Sequence, residues 1–301
     1  MEKDKNTTGH VIALFTIIIW GTTFISTKIL LREFTPFEIL FIRFVISIVA
    51  LTIAAPSRMI MKNKKHEIIF VFAGLTGITL YYLLENIALT YSMASNIGVV
   101  LSVAPMFTAI LAHFFLEGEK LRFNFFLGFL VAIVGICIIS FDGSENLRLN
   151  PIGDFLAILA AFVWAIYSIL TRKISTYGYN TIHVTRRTFL YGILFMIPAM
   201  FIFGFDIKAE QVIKPVNLFN ILFLGLGASA LCFVTWNYAV KLLGAVKTSV
   251  YIYLVPVVTV ITSILVLHEK ITRMAAIGMI LTLLGLVISE SKFRLQKGQK
   301  K

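Results

Sequence analysis

Residues 85–96 read Glu-Asn-Ile-Ala-Leu-Thr-Tyr-Ser-Met-Ala-Ser-Asn, and the apolar run that they interrupt resumes and reaches Pro105. The same design returns in the second half as Trp236-Asn237-Tyr238-Ala239, followed by Gly244-Ala245 and then Pro256. Four residues of the first copy have an identical counterpart 151 residues later: Asn86, Ala88, Ala94 and Pro105. A chain of 301 residues that repeats itself at half its length is a duplicated unit.

The composition predicts a membrane protein. Hydrophobic residues make up 58% of the chain and charged residues 14%, with a mean hydropathy of +0.91, whereas a soluble domain carries about 25% charged residues. The net charge of +12 lies mostly in short loops and at the C-terminus. That placement is the topology signal of a membrane chain and not the basic stripe of a nucleic-acid-binding domain. A lipid bilayer is therefore an expected partner, and nucleic acid is not.

Apolar runs near 20 residues predict ten transmembrane helices with short links between them. Their approximate bounds are 11–31, 36–56, 68–90, 96–116, 124–141, 151–171, 181–204, 218–240, 246–267 and 274–290. The expected fold class is therefore all-α and integral to the membrane. The expected organisation is a first repeat at 1–141, an external linker at 142–150, a second repeat at 151–291 and a basic cytoplasmic tail at 292–301.

The repeat continues along both halves. Trp20 pairs with Trp164 and Arg43 with Arg187, both 144 residues apart, while Gly128 and Gly135 pair with Gly278 and Gly285 at 150. Each half holds five spans, and because five is odd the second half must cross the membrane upside down. Inverted-topology repeats of this kind form transporters whose substrate site lies near the midplane.

Orientation follows from the lysines and arginines of the links and termini. Seventeen fall on the side that carries both termini and seven on the other. The positive-inside rule places both termini in the cytoplasm, and we expect the cell membrane as the location.

Several of these motifs together resemble the EamA-like transporters of the drug/metabolite transporter superfamily. The residues that carry the resemblance are Trp20-Gly21-Thr22-Thr23-Phe24, Arg43, Asn86-Ile87-Ala88-Leu89, Pro105 and Glu119-Lys120-Leu121, with second copies at Trp164-Ala165-Ile166-Tyr167, Asn237-Tyr238-Ala239-Val240, Pro256 and Glu269-Lys270-Ile271. The resemblance covers essentially the whole chain and implies a ten-helix 5+5 inverted repeat around a central cavity. It does not name the substrate, because that family moves amino acids, metabolites, nucleotide sugars and drugs.

Glu85 is the residue most suggestive of function. An acid inside a span is costly and by default marks a functional site, and its repeat counterpart is Trp236. Arg43 falls at a similar depth, so an ion pair between the two is expected, and Arg187 is its repeat mate. Either Glu85 binds a cationic group or a proton, or it is structural, as a member of an ion pair or as a carboxylate near the headgroups. Arg43 and Arg187 either anchor helices or gate the two ends of the cavity.

Aromatic and small polar residues complete the predicted site. Trp and Tyr offer flat apolar walls with a polar handle and can surround a cation, although ordinary helix packing is the alternative. The predicted substrate-binding residues are Trp20, Thr23, Tyr81, Tyr82, Glu85, Asn86, Ser102, Trp164, Tyr167, Trp236, Asn237 and Tyr251. Pro105 and Pro256 fall mid-span, where proline kinks a helix; each is a hinge or a static bend.

The expected function is a secondary transporter that moves small organic solutes by alternating access, as an exporter of amino acids or related metabolites. The sequence contains no phosphate-cradling glycine loop and no paired cysteine or histidine metal motif. We therefore expect no ATP drive, no cofactor and no metal, with a proton as the possible coupling ion and a monomer as the expected state. The alternatives are an integral-membrane lipid-modifying enzyme and a sensory membrane protein without transport activity.

Overall fold

The structure, a computed structural model, describes residues 2–91, 94–119, 123–141, 150–267 and 273–290. Every secondary-structure element in these ranges is helical. The predicted tail at 292–301, Glu269, and all of the predicted external linker except Asn150 lie outside the described residues.

Helices occupy each predicted span within the described ranges. Their bounds are Glu2–Leu30, Pro36–Ala54, His66–Gly74, Tyr81–Tyr91, Ala94–Leu101, Ala104–Phe115, Phe123–Phe141, Pro151–Ser175, Thr181–Phe203, Ala209–Val212, Pro215–Leu222, Cys232–Leu243, Ala245–Val250, Leu254–Leu267 and Arg273–Glu290. The first helix begins well before the predicted Val11, so the polar N-terminal residues extend it.

Helix starts follow capping chemistry. Thr35 accepts a hydrogen bond from the Glu38 N–H while the Glu38 carboxylate accepts one from the Thr35 N–H, and Pro36 opens the helix. The side chains of Asn150 and Asn180 cap Pro151–Ser175 and Thr181–Phe203 by accepting hydrogen bonds from backbone N–H groups of the first turn.

Five helical segments among the described residues are long and apolar enough to cross a membrane. They are Asn6–Leu30, Pro36–Ala54, His66–Tyr91, Pro151–Ser175 and Pro215–Leu243, and shorter apolar helices accompany them. Between 39% and 56% of the most apolar stretch of each segment is buried, so about half of it faces outward. The outward faces carry large apolar side chains such as Val11, Ile53 and Phe201, which suits contact with lipid.

The two prolines follow helix breaks instead of kinking continuous helices. The helix Ala94–Leu101 ends before a turn, and Pro105 lies in the first turn of Ala104–Phe115. In the second half a 3₁₀ turn at Tyr251–Tyr253 precedes Leu254–Leu267, which holds Pro256 near its start. Proline has no N–H to donate to the residue four positions earlier and is tolerated in a first turn. The expectation of a mid-helix kink is therefore replaced by a break and restart.

A π-helical segment interrupts corresponding helices of the two halves. It runs over Leu75–Leu80 in the first half and over Phe223–Leu231 in the second. These ranges overlap at the 151-residue offset that relates Asn86 to Asn237. π segments inside α-helices are uncommon and often accompany functional sites.

Glycines allow the helices Phe123–Phe141 and Arg273–Glu290 to pack backbone against backbone. A Cβ atom on Gly128 would lie 2.5 Å from the Gly285 carbonyl oxygen, and one on Gly135 would lie 2.6 Å from that of Gly278. Gly128 is the repeat mate of Gly278 and Gly135 that of Gly285, so the contacts are crossed. Crossed contacts between equivalent residues are the pattern that a two-fold axis produces.

Glu119 ties the two halves together at a helix end. Its carboxylate accepts hydrogen bonds from the N–H groups of Ala245 (3.0 Å) and Val246 (2.9 Å) and pairs with Arg172 at 2.9 Å. Gly244 makes room for this carboxylate, because a Cβ atom there would lie 2.7 Å from Glu119 Oε1. Glu119 therefore caps a helix of the other half.

This contact predicts a difference between two glycine substitutions. Gly204 (φ 74°, ψ 154°) and Gly244 (φ 92°, ψ 168°) share a backbone conformation that side chains rarely adopt, so either change to alanine costs roughly 1–3 kcal/mol through backbone strain. A Cβ on Gly204 meets open space, so Gly244→Ala loses more stability than Gly204→Ala because it also displaces Glu119. Thermal unfolding of the purified protein in detergent measures both. Equal losses would refute the role given to Glu119.

Candidate functional site

A cavity lies where the two halves meet, and residues of both line it. Its volume is about 50 Å³ and part of it is open to the surroundings, so it admits only a small molecule or part of one. The described lining consists of Trp20, Thr23, Phe24, Tyr81, Tyr82, Glu85, Gly98, Leu101, Ala104, Trp164, Ile252 and Val255. Six of these were predicted as substrate-binding residues from the sequence: Trp20, Thr23, Tyr81, Tyr82, Glu85 and Trp164.

The repeat-matched tryptophans form one wall together. The rings of Trp20 and Trp164 meet edge to face with centroids 5.4 Å apart, and Tyr81 lies 4.7 Å from Trp164. Trp20 Nε1 donates to the Ala228 carbonyl oxygen at 2.8 Å, which fixes that indole. Trp164 Nε1 is buried and has no hydrogen-bond partner. The two tryptophans therefore form the same wall of the cavity, but only the indole N–H of Trp20 has a hydrogen-bond acceptor.

Glu85 lies in this lining with an unsatisfied oxygen. The residue is 7% exposed, and its Oε2 atom is buried without a hydrogen-bond partner. The carboxylate interacts with the Tyr81 hydroxyl through a hydrogen bond and with the Arg43 guanidinium through space, so Oε2 is its one atom without a hydrogen-bond partner. Buried polar atoms without a partner are rare in proteins, and a buried carboxylate is costly unless it is paired.

Arg43 does not form the expected ion pair with Glu85. Its Nε donates to Ser229 Oγ at 2.9 Å, and its guanidinium lies over the Tyr82 ring, 4.3 Å from the centroid. Among the ion pairs of the described residues there is none between Arg43 and Glu85. A hydroxyl and an aromatic face hold this cation beside the cavity wall, so it acts on Glu85 only through space.

Arg187, the repeat counterpart of Arg43, forms an ion pair with Glu67. Its Nη2 lies 2.6 Å from Glu67 Oε1 and its Nε donates to the same oxygen at 2.7 Å, while the Tyr191 hydroxyl also donates to it. This cluster joins the starts of His66–Gly74 and Thr181–Phe203. The sequence predicted a role for Arg187 but not for Glu67, whose position just after a polar link resembles that of a helix-starting acid.

Six predicted substrate-binding residues are not in the described lining: Asn86, Ser102, Tyr167, Trp236, Asn237 and Tyr251. Five of them have hydrogen bonds that explain their polar character. Asn86 Nδ2 donates to the Pro36 carbonyl oxygen (3.1 Å) and Ser102 Oγ to that of Gly98 (2.8 Å). Tyr167 donates to Asn237 Oδ1 at 2.9 Å, Asn237 donates to Thr185 at 3.0 Å, and Tyr251 bonds His10 at 2.7 Å. Trp236 is 1% exposed, packs 5.0 Å from Trp20, and its Nε1 is unpaired.

Six lining residues were not predicted as site residues: Phe24, Gly98, Leu101, Ala104, Ile252 and Val255. Two of them carried a readable signal, because Leu101 and Ile252 each lie four residues before a proline, which cannot donate the hydrogen bond that their carbonyl oxygens would accept in a regular helix. Gly98 is buried, yet a Cβ atom there would have nothing within 4 Å. A buried glycine that faces empty space marks the cavity.

The lining suits a small solute with an apolar body. The described residues contain no group of three or more His, Cys, Asp or Glu side chains that could hold a metal ion. Of the described lining residues, Glu85 alone is charged. The cavity therefore offers ring faces, hydroxyls and one carboxylate.

The contact between Arg43 and Ser229 predicts the effect of a serine substitution. Ser229→Ala removes the hydroxyl acceptor of a buried guanidinium and destabilises the protein by about 1.5–3 kcal/mol, because hydrogen bonds to charged groups are among the stronger ones. Ser168→Ala is the matched control, since Ser168 is also buried but bonds only the Trp164 carbonyl of its own helix. We expect it to lose less stability in the same thermal unfolding assay. Equal losses would show that Ser229 does not hold Arg43.

Comparison with known proteins gives the family. The model of the EamA-like transporter family matches twice, at residues 7–141 and 151–290. An uncharacterised transporter of Archaeoglobus fulgidus is 30% identical over 95% of this chain and 99% of its own length. A probable terminal-alkyne amino-acid exporter of Streptantibioticus cattleyicolor is 25% identical over 91% of each chain, and a probable amino-acid metabolite efflux pump of Escherichia coli is 24% identical over 96% and 97%.

The fold is also similar to that of a solved crystal structure. The TM-score is 0.75 with 20% sequence identity, over 94% of this chain and 96% of the other. The names of the family and of these relatives indicate transporters and not enzymes. This chain belongs to the EamA-like transporter family.

Proposed function

We propose that this protein is a secondary transporter that exports amino acids or related small metabolites across the cell membrane by alternating access. The observation that carries the proposal is the cavity between the halves, in which a buried carboxylate oxygen lacks a partner. A buried carboxylate oxygen is costly to leave unpaired, so a group of the solute that binds it would stabilise the site. The exporter names of two relatives support the direction and the class of solute.

The proposed architecture is ten transmembrane helices in two inverted repeats of five. Three features support it: the family model matches each half once, the crossed glycine contacts join equivalent residues, and the π segments recur at the repeat offset. The repeat boundaries at 1–141 and 151–291 belong to the same proposal. An inverted repeat supplies two near-equivalent conformations, one open to each side.

Orientation and coupling complete the proposal. Both termini lie in the cytoplasm, as the distribution of basic residues favours. On that orientation Glu85 faces the external half of the pathway, and the Glu67–Arg187 pair lies at the cytoplasmic end. The protein functions as a monomer, because one chain supplies both halves of the cavity. The free oxygen of Glu85 makes a proton the candidate coupling ion, and the absence of a nucleotide-binding motif from the sequence favours secondary transport.

A flux assay tests the function. Purified protein in liposomes preloaded with an unlabelled amino acid, amine or related metabolite should accumulate the same solute in labelled form by exchange. Gly98→Leu should reduce this exchange to the level of protein-free liposomes, because its side chain fills the cavity. Gly227→Leu is the control, since a Cβ there meets only the Phe223 ring and Gly227 is not a described lining residue. Absence of exchange by the wild type across amino acids, amines and related metabolites would refute the transporter proposal. Full activity of Gly98→Leu would show that the transported solute does not pass through this cavity.

A further inference from the structure

We infer that the cavity binds the primary ammonium group of a small organic amine, with Glu85 as its anionic partner and aromatic rings as its walls. This inference rests on the proposed function and narrows its substrate class to solutes with a net positive charge.

The first support is the state of the Glu85 carboxylate. The residue is 93% buried, it lines the cavity, and Oε2 has no partner in the described part of the chain. An ammonium group supplies three N–H donors and the opposite charge. Charge-assisted hydrogen bonds of this kind are among the strongest that a side chain makes.

The second support is the set of rings around that carboxylate. Tyr81, Tyr82, Trp20 and Trp164 all line the cavity, and Tyr81 contacts both Tyr82 (4.8 Å) and Trp164 (4.7 Å). The faces of Trp and Tyr attract cations most strongly where water is excluded. One cation already lies on such a face, because the Arg43 guanidinium is over Tyr82.

The third observation, the charge of the cavity lining, favours an amine over a zwitterionic amino acid. A zwitterion brings a carboxylate, which needs a cationic partner when it is buried. None of the described lining residues is basic, and the neighbouring Arg43 is bound by Ser229 and lies against Tyr82. The unpaired Nε1 of Trp164 is a neutral donor, so it suits a hydroxyl or carbonyl of the solute better than a charged carboxylate.

The binding test uses three probes that share a phenyl ring and differ in charge. They are 2-phenylethylamine, L-phenylalanine and 2-phenylethanol, titrated against the purified full-length protein in lipid nanodiscs. Intrinsic fluorescence reports on the site, because the three tryptophans of the chain, Trp20, Trp164 and Trp236, pack against one another beside the cavity. We expect the amine to bind at least about tenfold more tightly than either other probe.

Two variants locate the interaction. Glu85→Gln keeps the side-chain shape and removes the charge, so it should abolish the preference for the amine. Glu33→Gln removes the same charge outside the cavity and should leave the preference intact. Glu33 is a true anion in the wild type, because a hydrogen bond from Lys214 lowers the pKa of its carboxyl group.

Three results would overturn the amine site. L-phenylalanine binding as tightly as the amine, no amine binding by the folded wild type, or an unchanged preference in Glu85→Gln would each overturn it. If Glu85→Gln does not fold, the ranking of the three probes by the wild type decides alone. If the amine binds selectively but no solute crosses the liposome membrane, the transport proposal is refuted and the amine site stands. If amino acids are exchanged but the amine is not preferred, the amine site is refuted and the transport proposal stands.

Discussion

The structure depends on one constraint of the membrane: a polar group inside the bilayer must find its partner within the protein. Most buried hydroxyls meet it locally, as Thr188 and Ser168 do by donating to a carbonyl oxygen of their own helix. Others meet it between the halves, as Arg43 does with Ser229 and Glu119 does with the start of Ala245–Val250. These contacts join the two copies and leave the cavity between them. Among the buried side-chain atoms of the described residues that lack a hydrogen-bond partner, Glu85 Oε2 is the one that belongs to a carboxylate, and it lies in the cavity.

The cavity is asymmetric although the chain is duplicated, because residues at equivalent positions have different contacts there. Trp20 and Trp164 occupy equivalent positions and touch, yet the first indole N–H is bonded and the second is not. Glu85 faces the cavity while its mate Trp236 is fully packed. The scaffold glycines, by contrast, keep crossed and equivalent contacts. Equivalent glycines of the two halves therefore keep the same packing, while equivalent residues at the cavity differ in their contacts. This combination suits a transporter scaffold that carries a particular substrate.

The helices, the repeat and half of the described cavity lining could be predicted from the sequence, because hydropathy and spacing encode which segments are apolar and which residues are equivalent. Side-chain partners could not. Asn86 resembles a site residue in sequence, but its amide serves the Pro36 carbonyl, which no local pattern specifies. Similar depths predicted an ion pair between Arg43 and Glu85, but whether a cation meets a carboxylate or a hydroxyl depends on a helical segment 186 residues away. Apolar lining residues such as Val255 carry no signal that distinguishes them from the core.

Alternating access requires that the one cavity between the proposed inverted halves opens to each side of the membrane in turn. The most direct measurement is the two-sided reactivity of a cysteine at position 98, where the buried backbone faces empty space. In a Gly98→Cys protein whose two native cysteines are replaced by alanine, a membrane-impermeant thiol reagent would be applied to right-side-out and to inside-out vesicles. The account predicts labelling from both sides, blocked from both by a bound solute. Labelling from one side only, under all conditions, would contradict it.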